Sequence, residues 1–268
     1  MFTSSGFALS VIGASHIKKN KLCQDNSAYL KGRNFEAITV SDGHGGTKHF
    51  RSEKGSLFAT QVINESISDF VKSIKAGLSE KLLLKKIEEY EKSIICLWRQ
   101  KVEIDYEAND FSCEELEPLT VLEKQEVLND FNLAYGATFL CAIKIQRKII
   151  IMQLGDGNCI VVNDDKVYEP LQEDERLKYG FTTSLCSQTA YSDFRHTYID
   201  YDKKFSIFLT SDGVINSFEN VESFYNFLRI VNDNTKTHNF LVDLNVFLSE
   251  LSLRGSGDDI SIAAIYKR

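Results

Sequence analysis

Four short turns combine an aspartate with glycine, and each adjoins a stretch whose composition predicts a β-strand. The turns read VSDGHGG, QLGDGN, TSDGV and GSGDDIS, and they carry Asp42, Asp156, Asp212 and Asp258. One such turn is ordinary, because Asp-Gly is among the commonest turn pairs. Four of them predict a cluster of carboxylates, provided that the strand ends meet at one edge of the sheets.

A cluster of carboxylates needs a cation, since like charges so close together repel one another. Carboxylate oxygens are hard ligands, and no cysteine pair or group of histidines accompanies them in the sequence. Such a ligand set suits Mg²⁺ or Mn²⁺ better than zinc. We therefore expect chemistry that depends on one of these two ions.

The first half of the chain supplies strands and then helices. Short β-rich runs at 7–15, 27–30 and 35–41 are separated by polar or glycine-containing turns, which predicts strands. Apolar residues at helical spacing predict a helix over about 53–74, with Ser52 as its N-cap. Two more helices are expected, and we assign Ser79 and Thr120 as their N-caps. The acidic segment 105–118 is expected to be a solvated loop, with a docking surface as the alternative.

The second half returns to strands. The runs GATFLCAIKIQ, KIIIMQL and NCIVVND are joined by tight turns, which predicts a meander of antiparallel strands. Two further strands are expected over 196–201 and 204–212, two helices over 221–231 and 239–251, and a last strand over 260–266. Helices in two blocks and strands joined by hairpins indicate an α+β fold with largely antiparallel sheets.

Composition excludes several classes of partner and location. The 268 residues carry a net charge of −7, which argues against nucleic acid or an anionic membrane surface as the main partner. Six scattered cysteines suggest reduced thiols in a cytoplasmic protein. No basic, apolar leader is present, and no apolar run approaches the roughly 18 residues of a membrane helix. With two prolines and no linker-like stretch, we expect a single domain over 1–268 and a monomer.

Taken together, the motifs resemble those of a known family. GASHIKKNKLCQDN, VSDGHGG, GATFLCAI with QLGDGNCIVV, and TSDGV with GSGDDISIAAI occur in this order over most of the chain. Their order and spacing resemble the compact bacterial branch of the metal-dependent, type 2C serine/threonine protein phosphatases. The resemblance implies a four-layer α-β-β-α sandwich, in which two antiparallel β-sheets are flanked by helix pairs.

The resemblance also implies a site with two Mn²⁺ or Mg²⁺ ions. Asp42 would bridge both ions, and the Gly43 carbonyl would bind one. Asp212 and Asp258 would complete the other position, while Asp25 would hold water near the ions. Asp156 corresponds to an acid that relatives use for a third, weaker site.

Two positions depart from the pattern of the family around the ions. Asn216 stands where relatives have a further acid, which makes a tightly bound third ion doubtful. Asp259 stands where relatives often have asparagine, so it is the less favoured ligand beside Asp258.

The resemblance implies how substrate would be handled. Asp42 would act through the ions, and His44 would be the general acid for the leaving serine or threonine, with an ordinary pKa of about 6.5. Relatives grip the phosphate with an arginine where this chain has Asn20. The nearby candidates for that task are His16, Lys19 and Lys21. A structural hydrogen bond for His16 and a solvated turn for the lysines are the alternatives.

These implications predict hydrolysis of phosphoserine and phosphothreonine in proteins, with phosphoprotein substrates and a cognate serine/threonine kinase as partners. Two other functions stay open. One is a catalytically weak or inactive relative that binds phosphoproteins and regulates a partner. The other is a phosphomonoesterase for small molecules, because a metal centre does not by itself read the leaving group.

Overall fold

Two antiparallel β-sheets form the middle of the protein. The structure is a computed structural model, and it describes residues 4–163, 166–172, 174–176, 182–201 and 205–267. Within these ranges, the strands are β1 Ser4–Val11, β2 Asn26–Lys31, β3 Phe35–Ser41, β4 Phe139–Ile145, β5 Lys148–Leu154, β6 Asn158–Asn163, β7 Val167–Tyr168, β8 Arg195–Asp200, β9 Phe205–Thr210 and β10 Ile260–Lys267. Most are rich in β-branched and aromatic residues, which suit a pleated surface.

Each sheet contains five strands, and all strand pairs that the structure describes are antiparallel. The first sheet has the order β1-β10-β9-β6-β7, and the second has the order β2-β3-β4-β5-β8. The predicted α+β fold with antiparallel sheets is therefore confirmed.

The predicted meander is wrong at its third strand. β4 and β5 pair as expected, but β6 leaves their sheet and pairs with β9 in the other one. Gly155 makes this change of direction possible, because its φ of +112° lies in a region that side chains other than glycine rarely adopt. A tight turn in the sequence shows where a strand ends, but it does not show which sheet receives the next strand.

The described residues also form helices of very different lengths. They are α1 Ala14–Lys18, α2 Ser52–Ser73, α3 Glu80–Ala108, α4 Cys113–Leu116, α5 Val121–Asn129, the 3-10 turn η1 Phe131–Tyr135, α6 Ala190–Asp193, α7 Asp212–Ile215, α8 Val221–Asn234 and α9 Phe240–Arg254. No helix within the described ranges is both long and apolar enough to cross a membrane.

Three apolar clusters separate four layers. The first packs α2 and α3 on the second sheet and includes Ile63, Ile67, Ile94, Trp98, Phe139, Cys141 and Ile150. A middle cluster lies between the sheets and includes Ile38, Val40, Leu140, Ile151, Val161, Ile207, Leu209 and Ala263. The last packs α8 and α9 on the first sheet and includes Phe208, Phe224, Leu228, Leu244, Leu248, Ile262 and Ala264. The predicted α-β-β-α sandwich is thereby confirmed.

The predicted helix starts were right in part. Thr120 caps α5 in a capping box with Glu123, and Ser79 occupies the N-cap position of α3 without a side-chain cap bond. Ser52 is not a cap, because Arg51 occupies the N-cap position of α2. The Ser52 hydroxyl instead accepts a hydrogen bond from Gln24 Nε2 at 2.6 Å.

The acidic segment 105–118 differs from the solvated loop that we expected. α3 continues to Ala108, and a separate short helix, α4, follows it. Ser112 and Glu115 form a capping box at the start of α4. Glu115 also binds the buried Arg51 side chain, so part of this segment belongs to an internal ion pair.

Candidate functional site

Strand ends from both sheets meet at one edge of the sandwich and bring four aspartates together. Asp42 follows β3, and Asp156 lies in the turn that leads from β5 to β6. Asp212 begins α7 directly after β9, and Asp258 lies just before β10. The Asp42 and Asp212 side chains are within hydrogen-bonding contact of each other. The sequence placed these residues at strand ends, and the fold makes those ends neighbours.

Burial, together with neighbouring negative charges, raises the pKa of three of these groups. Desolvation, together with the charges of Asp25, Asp212 and Asp156, raises the pKa of Asp42 well above its usual range. Desolvation and the charge of Asp212 also raise the pKa of both Asp156 and Asp258. The charge of Asp212 therefore acts on three neighbouring carboxyl groups, as expected where like charges share a site.

This ligand set fits a hard divalent cation. No group of three or more Asp, Glu, His or Cys side chains within the described ranges is already arranged around one point to hold a metal ion. Among the four aspartates, the structure shows a side-chain contact between Asp42 and Asp212. Pairs suffice for Mg²⁺, which usually keeps several waters and takes one or two carboxylates from the protein.

Asp25 lies beneath this group of aspartates and is almost completely buried. Ser211 Oγ donates to its Oδ2 at 2.7 Å, and the Ser261 N–H in turn donates to Ser211 Oγ at 2.9 Å. Burial is the largest influence on Asp25 and, together with the charge of Asp259, it raises the pKa of Asp25 to about 7, against the opposing effect of the Ser211 bond. Ser211 therefore fixes the direction in which Asp25 presents its second oxygen.

The backbone after Asp42 is tightly enclosed. Gly43 donates its N–H to the Gln24 carbonyl at 3.1 Å, and a Cβ at this position would lie 2.6 Å from the same oxygen. Gly43 also forms an isolated bridge to Ala137. Only glycine fits this approach, and the resulting turn sets the position of the Gly43 carbonyl.

His44 lies against a second histidine. Its ring centroid is 5.0 Å from that of His49, and its backbone N–H donates to the Gly136 carbonyl at 3.0 Å. Desolvation, together with the neighbouring His49, lowers the pKa of His44 to about 3. The pKa of His44 in the protein alone therefore lies below the unperturbed histidine value of about 6.5.

His16 and Asp259 form a structural unit at the side of the aspartates. The two oxygens of Asp259 accept the N–H groups of Gly13 and Gln24, both at 2.6 Å, and His16 Nδ1 lies 3.0 Å from Oδ2. These three contacts engage both oxygens of the Asp259 carboxylate. A structural hydrogen bond was one of the two roles considered for His16, and it occupies Nδ1.

The basic turn beside His16 is exposed. Lys19 and Lys21 donate their backbone N–H groups to the His16 carbonyl at 3.1 and 2.9 Å, while both side chains point to solvent. Asn20 between them adopts a left-handed conformation with φ of 52°. The turn therefore places two cations at the rim of the site instead of within it.

Asn216 has a definite role in the structure. Its Nδ2 donates to Asp212 Oδ2 at 3.0 Å, one helical turn along α7. An acid at this position would repel Asp212, whereas the amide holds one of its oxygens. This contact fixes one oxygen of Asp212.

Sequence reasoning missed several residues that shape the site. Thr138 binds the backbone of Asp42, Ser211 orients Asp25, and Gln24 joins Asp259 to Ser52. All three residues lie inside the quoted motifs GATFLCAI, TSDGV and GASHIKKNKLCQDN, but the sequence did not show which partners they contact. No signal pointed to the pairing of His49 with His44, because the two rings meet only through the folding of the loop between them.

A family model described as Protein phosphatase 2C matches residues 12–249 of the chain. No match was found among curated proteins.

Several solved bacterial phosphatases share the fold. The serine/threonine phosphatase of S. agalactiae is 19% identical with a TM-score of 0.62, and the match covers 98% of this chain and 99% of that one. PppA, a key regulatory component of T6SS in Pseudomonas aeruginosa, is 15% identical with a TM-score of 0.60, over 99% of this chain and 98% of that one. The catalytic domain of the phosphatase PstP, solved with two manganese ions, is 14% identical with a TM-score of 0.59, over 100% and 99% of the two chains.

Proposed function

Because the chain belongs to the protein phosphatase 2C family, we propose that it hydrolyses phosphoserine and phosphothreonine in proteins with the help of Mn²⁺ or Mg²⁺. The observation that carries this proposal is the meeting of Asp42 and Asp212, which come from different sheets. Two carboxylates in contact are unfavourable for the fold alone, since their like charges repel each other. A cation bound by both carboxylates would offset this repulsion.

The proposed site holds two ions through oxygen atoms. Asp42 and the Gly43 carbonyl, with Asp212 and Asp258, would be the ligands, and Asp25 would hold water beside them. Asp156 would serve at most a third, weak position. When bound, the ions activate a water molecule for attack on phosphorus and offset charge on the phosphoryl oxygens.

His44 is proposed to supply the proton for the leaving oxygen. Its ring is neutral at pH 7 in the protein alone, given a pKa of about 3. A phosphate dianion beside the ring favours the charged form of the imidazole, because an opposite charge raises the pKa of a histidine. Binding of substrate would therefore load the acid that the reaction then uses.

The phosphate group is proposed to meet three further groups. His16 offers its Nε2, because Asp259 already engages Nδ1. Lys19 and Lys21 lie at the rim and can approach as point charges on flexible chains, although lysine lacks the planar fork with which arginine binds phosphate. We expect each lysine to influence the KM for substrate more than kcat.

Hydrolysis of a phosphothreonine peptide is the direct test. The purified protein is expected to release phosphate with Mn²⁺ or Mg²⁺ and to stop when both ions are chelated. Asp42→Asn and Asp212→Asn should abolish this activity while the protein remains folded, and Lys85→Ala on the exposed side of α3 is a matched control. Full activity in either aspartate variant would contradict the assignment.

The same experiment separates the two alternative functions. A regulator that only binds phosphoproteins would release no phosphate with either ion. A small-molecule phosphomonoesterase would hydrolyse phosphorylated metabolites much faster than phosphopeptides. The cognate kinase, the cytoplasmic location, the single domain over 1–268 and the monomeric state stay predictions.

A further inference from the structure

The motif FRSEKGS, at the start of α2, connects the acidic segment to the candidate site. Its Arg51 side chain is buried, and all five guanidinium N–H groups have an acceptor. Nε and Nη2 bind the two oxygens of Glu115 at 2.6 and 2.9 Å. Nη2 also donates to the Asp110 carbonyl at 3.1 Å, and Nη1 donates to the Asn109 carbonyl and the Tyr135 hydroxyl at 2.6 and 2.7 Å.

Arg51 also binds the last two residues of η1, Ala134 and Tyr135. Its backbone N–H donates to the Ala134 carbonyl at 2.8 Å, and its side chain binds the hydroxyl of Tyr135. That hydroxyl donates to Asp105 Oδ2 at 2.7 Å, and Lys54 Nζ lies within 3.0 Å of both oxygens of Asp105. The C-terminal end of η1 is therefore tied both to α2 and to the end of α3.

The backbone of η1 and of the residue after it also binds the candidate acid His44 and its neighbour His49. The Gly136 carbonyl accepts the His44 N–H at 3.0 Å, and the Leu133 carbonyl lies 2.5 Å from His49 Nδ1. A Cβ on Gly136 would lie 2.7 Å from His44 Cδ2 and 2.6 Å from His49 Nδ1. The two imidazole rings therefore rest directly on the backbone that follows η1.

A rigid connection follows from these contacts. Arg51 binds Ala134 and Tyr135, the backbone N–H of His44 binds the next residue, Gly136, and the Tyr135 ring is completely buried. Gly55 lies so close that a Cβ there would collide with the Tyr135 carbonyl. A shift of η1 by even a fraction of an ångström would therefore be transmitted to the ring of His44, since packed interiors do not deform freely.

We propose that Arg51 is a positioning residue for His44, acting through Tyr135 and the Gly136 carbonyl, with Glu115 as the partner that orients its guanidinium. This inference rests on the proposed function, because it assigns His44 to proton transfer. It also gives the acidic segment 105–118 an indirect role in catalysis, because Glu115 of this segment orients the Arg51 guanidinium. Lysine could not replace Arg51, because an ammonium group has three donors and no planar fork.

The test uses variants that remove single contacts. Tyr135→Phe deletes only the hydroxyl that joins Arg51 to η1, and Glu115→Gln keeps the shape of the partner but removes its charge. Lys144→Met is the matched control, because it breaks a partly buried ion pair with Glu36 at the opposite end of β3. Phosphatase activity is measured on phenyl phosphate and on p-nitrophenyl phosphate, which has the better leaving group.

A mispositioned acid has a distinctive signature. Tyr135→Phe and Glu115→Gln should reduce kcat/KM for phenyl phosphate about tenfold more than for p-nitrophenyl phosphate, because only the poorer leaving group needs the proton. Lys144→Met should leave the ratio of the two substrates unchanged. Equal losses on both substrates in the two site variants would mean that Arg51 only stabilises the fold, and the proposal would be wrong.

Hydrogen exchange gives a second readout that does not depend on activity. Loss of the Tyr135 hydroxyl should increase exchange in the peptide over 42–50, which contains the His44 amide, while Lys144→Met should not. An inactive wild type would refute the proposed function, and the exchange result would still decide whether Arg51 positions His44. Unchanged exchange in Tyr135→Phe would contradict the proposal.

Discussion

Thr138 holds the backbone of Asp42 through two hydrogen bonds. Its Oγ1 accepts the Asp42 N–H at 2.9 Å, and its own N–H donates to the Asp42 carbonyl at 2.8 Å. The neighbouring Ser41 Oγ donates to the Thr138 carbonyl at 2.6 Å. The direction of the Asp42 carboxylate is thus set by the start of β4 as well as by its own turn.

Replacing Thr138 by valine should weaken metal binding. Valine keeps the shape of threonine but leaves the Asp42 N–H without its acceptor, which costs about 1–3 kcal/mol of stability. Thr138→Ser keeps the hydroxyl and is the matched control. Titration with Mn²⁺ should show a lower affinity for Thr138→Val only. Identical affinities in both variants would mean that the hydrogen bond from the Asp42 N–H to the Thr138 hydroxyl does not position Asp42.

Neighbouring aspartates at 258 and 259 should respond differently to substitution. Asp259→Ala removes the acceptor for Gly13, Gln24 and His16, so it should lower the unfolding temperature by several degrees. Asp258→Asn should leave the unfolding temperature of the metal-free protein unchanged or raised, while Mn²⁺ binding weakens. The prediction is wrong if Asp258→Asn is the variant that loses stability.

The pH dependence of stability should report the burial of Asp25. Its pKa is raised from 3.8 to about 7, so the folded state binds the proton more tightly than the unfolded chain. Stability from this group is complete below the unfolded pKa and is lost as pH rises through about 7. In the presence of a chelator, wild type should therefore lose stability relative to Asp25→Asn as the pH rises from about 4 to about 7. Parallel curves for the two proteins would contradict the raised pKa.

His44→Ala should impair hydrolysis selectively. Without a proton donor, the loss should be larger for a phosphothreonine peptide than for p-nitrophenyl phosphate, by a factor of about 10² or more, because the alkoxide is the poorer leaving group. His49→Ala tests the neighbour without removing the acid itself. Equal losses on both substrates in His44→Ala would argue against proton donation by this residue.

Much of the fold could be predicted because it depends on local patterns. Period-2 and period-3.6 spacing of apolar residues identified most strands and the long helices. The destination of β6 could not be predicted, because both sheets bury their inner faces and offer equivalent edges to an apolar strand. The contacts of Arg51 could not be predicted either, since its partners Glu115 and Tyr135 lie 64 and 84 residues away in sequence.

The candidate site divides in the same way. Asp-Gly turns marked the aspartates, because turn chemistry is local and the strand before each turn fixes its direction. The pKa values were not predictable, since the lowered pKa of His44 depends on burial of its ring in the fold and on the nearby charge of His49. The role of His16 also depended on folding, because its partner Asp259 lies 243 residues further along the chain.

Calorimetric titration with Mn²⁺ tests the central claim most directly. If the aspartates at the sheet edge bind the ions that drive hydrolysis, wild type should bind two ions in the titration, as in two-metal phosphoesterase sites. Asp42→Asn should lose binding and phosphopeptide hydrolysis together. The account would be contradicted by a wild type that binds no ion yet hydrolyses the peptide in chelator, or by unaltered binding in Asp42→Asn.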